Sequence, residues 1–84
     1  MNKMYIEVRD LTDVYAIRRW LSDNISPGQV DESWTTRLSG LLVYVSSDGV
    51  SWRVVHRPLY DKHAEVYGLT PEQETLLRLS LDNR

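Results

Sequence analysis

His56, Asp61 and His63 come nearest, among the residues of this chain, to the type and spacing of a chemical site. Two imidazoles and a carboxylate in an H-x4-D-x-H arrangement can hold a metal ion or move protons, provided that the stretch after His56 folds back on itself. Against this stands the alternation of the preceding run, which puts His56 on an apolar strand face, where a hydrogen-bonded core histidine is the commoner use. Other routes to catalysis are missing from the sequence. No serine stands in a nucleophile elbow, no glycine-rich loop cradles a phosphate, and with no cysteine there is neither a thiol nucleophile nor a thiolate metal site. The expectation is therefore a protein that is not an enzyme and needs no cofactor, with a metal or acid-base site at His56, Asp61 and His63 as an alternative.

A second group of residues points to binding. The chain carries eight arginines against two lysines, three tryptophans, five tyrosines and no phenylalanine. Arg, Trp and Tyr join a large contact area to a directional polar group, which is why they are enriched where proteins meet. Trp20, Tyr44, Arg53, Arg57, Tyr60 and Tyr67 are the candidates for contact with a partner. Tyr44 and Arg53, with Arg57 further along, also resemble the ring-and-guanidinium platforms on which single-stranded nucleic acid stacks. The net charge of -2 argues against a protein held to nucleic acid by charge alone. A protein partner is the first expectation and single-stranded nucleic acid the alternative.

The elements that must position these residues are legible in part. Met4 to Arg9 alternates as a half-buried strand. Leu11, Val14, Ile17, Leu21 and Ile25 form one helical stripe after Asp10 or Thr12 as cap, and Trp20 points away from that stripe, which predicts partial exposure. Val30 to Ser39 fits a short helix through Val30, Trp34 and Leu38 and a strand through Trp34, Thr36 and Leu38, and it is read as a short helix with Asp31 or Ser33 as cap and Gly40 as stop. Leu41 to Pro58 is a hairpin about Asp48-Gly49. A two-residue turn would set Val45 opposite Trp52, Val43 opposite Val54 and Tyr44 opposite Arg53, giving an apolar core face and a mixed outer one. Leu59 to Gly68 reads as a loop or a single helical turn carrying Tyr60 and Tyr67 to the sheet edge. Thr70-Pro71-Glu72-Gln73 is a capping box that opens a helix to about Leu81.

Leu69 to Leu79, LTPEQETLLRL, is similar to the first helix of LuxR-type helix-turn-helix regulators. The likeness consists of a capping box followed by leucines, and no turn and recognition helix follow it, so it reads as helix-start chemistry.

These elements predict one α+β domain over residues 1–84, in the order β-α-(α)-β-β-α, with a central hairpin and two main helices on one face of a small sheet. The amino terminus bears charges where a signal peptide would be apolar, and no run is long enough to span a bilayer, so a cytoplasmic monomer or homodimer is expected. Small size and slight acidity also match the general description of phage-encoded inhibitors of bacterial defence, anti-CRISPR proteins among them, which block a larger complex.

Overall fold

In the computed structural model, which describes residues 3–33, 35, 40–58 and 61–82, the alternation of the first segment is realised as β1 (Lys3–Glu7). Met4 and Ile6 turn inward, and Lys3, Tyr5 and Glu7 outward. Helix α1 (Leu11–Asn24) starts at Asp10, whose carboxylate accepts the free N–H groups of Thr12 and Asp13. Its buried stripe is Val14, Ile17 and Leu21. Four strands follow: β2 (Gly28–Val30), β3 (Leu42–Ser46), β4 (Arg53–His56) and β5 (His63–Tyr67). The capping box at Thr70 and Gln73 is formed in both directions, and α2 (Pro71–Leu81) runs from it.

The strands make one antiparallel sheet in the order β1-β5-β4-β3-β2. Both helices cover the same face. There Met4, Ile6, Tyr44, Trp52, Val54, Ala64 and Val66 of the sheet layer meet Val14, Ile17, Leu21, Leu77 and Leu81 of the helices in a single core. The α+β class, the hairpin in mid-sheet and the two helices on one face agree with the sequence reading.

The register of the hairpin does not. Leu42 pairs with His56, Tyr44 with Val54 and Val45 with Arg53, and Ser46 bonds Trp52, so five residues rather than two connect the strands. Asp48 is the cause. Its carboxylate accepts the hydroxyls of Ser46 and Ser51 and the backbone N–H groups of Val50 and Ser51, gathering the loop on the C-terminal side of the turn. Gly49, at φ +77°, closes a turn onto the Ser46 carbonyl. A one-residue change of register exchanges the faces of one strand relative to the other. Tyr44 therefore joins Trp52 and Val54 in the core, while Val43 and Val45 share the side of Arg53 and Val55, where Val43 is nonetheless buried, at 2% exposure.

Two further strands replace predicted irregular segments. Leu59 to Gly68, expected as a loop or helical turn, contains β5, which lies between β1 and β4 with Ala64 and Val66 fully buried. Val30 ends a strand instead of opening a helix, and Asp31 starts a turn, accepting Ser33 N–H on its side chain and Thr35 N–H on its carbonyl. Thr35 then bonds both backbone groups of Val43. Tyr60, and Trp34, Thr36 and Leu38 of the Val30 to Ser39 segment, lie outside the described residues.

Candidate functional site

Because the helices occupy one face, the other face of the sheet is where outward side chains collect. Register assigns them to rows. Lys3, Tyr67, Arg53, Val45 and Gln29 follow one another across the five strands, and Tyr5, Glu65, Val55 and Val43 form the next row. Directly opposed residues of antiparallel strands share a face with Cβ atoms about 5 Å apart, so each row is a line of contacts.

At the β1–β5 end of the rows is an aromatic and charged cluster. The Lys3 ammonium lies 5.1 Å from the Tyr5 ring centroid and 5.6 Å from that of Tyr67, within the range of cation–π attraction. It also stands 4.0 Å from Glu65. A hydrogen bond with Tyr5, opposed by desolvation and reinforced by the charges of the neighbouring tyrosines and Glu65, holds Lys3 above its ordinary value. Tyr67 donates its hydroxyl to Glu65 at 2.6 Å, and this bond, with partial burial, raises its own pKa. On the far side of Tyr67, Arg53 reaches Asp31 at 3.8 Å. Tyr5 is 51% exposed. Towards the turn the face dips into a groove of about 460 Å³ lined by Val50, Trp52, Arg53, Val55 and Tyr67 with Gly49 and Gly68, and Val50 there is 82% exposed.

The sequence-predicted binding residues divide accordingly. Arg53 and Tyr67 come together on the open face. Tyr44 does not: the register turns it under α1, where it is 4% exposed, with the Arg18 guanidinium 4.8 Å from its ring and burial raising its hydroxyl pKa. Trp20 is half-buried and leans on the edge of the core. Arg57 is exposed just past β4, where its carbonyl accepts the N–H of Asp61. Lys3 and Tyr5 were not anticipated in the cluster. Their outward direction follows from the β1 alternation, but their neighbours depend on β5 being a strand.

The His56, Asp61 and His63 arrangement is not assembled. His56 is buried on the helix side, its Nδ1 3.3 Å from the His63 carbonyl oxygen, whereas the His63 side chain is exposed on the opposite face. The backbone between them is therefore the width of the sheet, and the two imidazoles cannot share a ligand. His56 and Asp61 do line a second concavity of about 420 Å³ with Asp10 and Lys62. Among the described residues no three His, Cys, Asp or Glu side chains gather as metal ligands would. No helix there is long and apolar enough to cross a membrane. No protein family, curated protein or solved structure matches the chain.

Proposed function

We propose that this protein is a small non-enzymatic binding module that meets a larger protein through the open face of its sheet, with Tyr67, Arg53 and Tyr5 as anchors and Val50 and Val55 as apolar contacts. The observation that carries this reading is the row Lys3, Tyr67, Arg53, a half-buried ring between two cations beside an apolar groove. Interfaces take their energy from such aromatic and guanidinium anchors seated in pockets. Carboxylates interleave the cations: Glu65 touches both Lys3 and Tyr67, and Asp31 touches Arg53. That mixture suits a protein surface, which offers both signs, better than a phosphate backbone, which offers one. The narrower reading, in which the partner is inhibited by occlusion, is supported by small size and slight acidity alone. Cytoplasmic action is part of the proposal.

The test is affinity capture from lysate with and without nuclease, using the parent and an Arg53→Ala/Tyr67→Ala variant of unchanged circular dichroism. A protein retained after nuclease by the parent and lost by the variant supports the reading. Capture that disappears with nuclease assigns the face to single-stranded nucleic acid. A partner held equally by both proteins, and lost on Trp20→Ala, moves the interface to α1.

A further inference from the structure

The sequence holds one Asp-Gly pair, Asp48-Gly49, and the fold sets it at the exposed tip of the connection between β3 and β4. A Cβ added at Gly49 would meet nothing within 4 Å, so water reaches the bond. An Asp-Gly link is among those most open to attack from within the chain, because the residue after the aspartate has no side chain to block the approach. In that reaction the Gly49 nitrogen adds to Cγ of Asp48, the new C–N bond closes a five-membered succinimide, and the amide proton leaves with the carboxyl hydroxyl as water. A second water then opens the ring. Cleavage of the Cγ–N bond regenerates aspartate. Cleavage between the same nitrogen and the Asp48 carbonyl carbon leaves isoaspartate, in which the main chain runs through Cβ and Cγ. One water is lost and one gained, and no other reactant is needed.

In the fold both reacting groups are occupied. The Asp48 carboxylate accepts the Ser46 hydroxyl at 2.7 Å, the N–H groups of Val50 and Ser51 at 2.9 Å, and the Ser51 hydroxyl. The Gly49 N–H is spent on the Ser46 carbonyl at 2.8 Å. Four donors keep the carboxylate ionised, and in that form it has no hydroxyl to release. The nitrogen, for its part, must leave the Ser46 carbonyl to reach Cγ. We infer that Asp48-Gly49 is an isoaspartate-forming site that the folded turn holds closed, with Ser46 and Ser51 as its clasp, and that it reacts in chains whose turn has opened. Isoaspartate adds a carbon to the main chain and shifts the carboxylate, so the clasp cannot re-form around it. Gly49 and Val50 border the groove of the open face, and the damage falls there. This inference stands apart from the proposed function, since it concerns the chemistry of the turn and needs no partner.

The experiment follows the full chain at neutral pH in oxygen-18 water, with peptide mapping afterwards in ordinary water to separate the aspartate and isoaspartate forms. Isotope built in at Asp48 marks each passage through the succinimide. Every rate is taken relative to that of the same protein in guanidinium chloride. The folded parent is expected to convert at least about tenfold more slowly than the denatured chain, since only the opened fraction reacts. Ser51→Ala of unchanged circular dichroism is expected to raise that relative rate severalfold. If Ser51→Ala unfolds, guanidinium chloride below the parent's transition takes its place, and conversion should rise before the circular dichroism changes. A folded parent that converts as fast as the denatured chain overturns the inference, as does a denatured chain that forms no isoaspartate. So does a folded Ser51→Ala protein no faster than the parent or, in the substitute measurement, conversion that rises only with global unfolding.

Discussion

Replacing Gly28 with alanine tests the hairpin register through a single methyl group. A Cβ on Gly28 would lie 2.1 and 2.2 Å from Cη2 and Cζ2 of Trp52 and 2.9 Å from the Val45 carbonyl oxygen. Unbonded carbons settle at about 3.5–4.0 Å, so the indole must retreat by more than roughly 1 Å. It has nowhere to go. Trp52 is 2% exposed and its Nε1–H donates to the Ser26 carbonyl at 2.9 Å. Overpacking of this kind costs about 1–3 kcal/mol and the lost hydrogen bond about 1 kcal/mol. Restricting the unfolded chain returns about 0.4–1 kcal/mol. The net loss is about 2–3 kcal/mol, against a total stability of about 4–13 kcal/mol for a chain of 84 residues. The midpoint of thermal unfolding, followed by circular dichroism, should fall by about 10–20 °C. In a Trp52→Phe background the six-membered ring that meets the new methyl is gone and the Val45 carbonyl contact remains, so Gly28→Ala should cost clearly less than in the parent, which makes the coupling measurable by a double-mutant cycle. Were Trp52 opposite Val45, as a two-residue turn demands, it would lie on the other face from Gly28 and the alanine would meet the Val45 carbonyl but no indole. A Gly28→Ala protein that melts at or above the parent temperature refutes the register.

Two more outcomes follow from local hydrogen bonding. Thr70→Ala removes the acceptor for the Gln73 N–H at the start of α2 and should lower stability by about 1 kcal/mol in urea titration; an unchanged midpoint would mean that the cap contributes nothing. The hydroxyls of Ser51 and Ser46, and then the backbone N–H groups of Val50 and Ser51, hold the Asp48 carboxyl well below its ordinary value of 3.8. Because the folded value is the lower one, the stabilisation is complete above the unfolded value and is lost progressively as pH falls below about 4 towards the folded value. Asp48→Asn should therefore be less stable than the parent at pH 7, and the gap should narrow at pH 3; a gap of constant size would show that the carboxylate charge plays no part.

The readable parts of the fold were those with strong local signals. The Leu11 to Ile25 stripe and the Thr70 box each carry their own start and period, and both helices form within a residue or so of the predicted ends. Asp48-Gly49 marks a turn unambiguously but does not fix its length, because an Asp-Gly pair serves equally as the two central residues of a tight turn and as the end of a turn within a longer loop. The choice was made by Ser46 and Ser51, whose hydroxyls converge on Asp48 from both sides. Strand β5 was missed for another reason. Its inward residues, Ala64 and Val66, are a weak alternation beside the polar His63 and Glu65, and it is burial between β1 and β4 that makes the segment extended. Site legibility followed from this. Arg53 and Tyr67 could be named as types, whereas the cation and ring beside them, Lys3 and Tyr5, are brought there by a strand pairing that no local pattern announces.

That pairing has a kinetic consequence. Strands β2 to β5 form a meander whose neighbours in space are neighbours in sequence, while β1 must wait for a partner roughly 55 residues away. Closing such a loop costs about 2 kcal/mol more in chain entropy than closing the hairpin between β3 and β4. The strand made first is thus the one that docks last, onto the outside of a strand already held by β4, and nothing has to reopen to admit it. Helix α1 bridges much of that distance, so its seating over the meander shortens the search left to β1. Substitutions along β1 should accordingly act on the rate of unfolding, and those around Asp48 on the rate of folding, a division that paired chevron plots of the two sites would reveal.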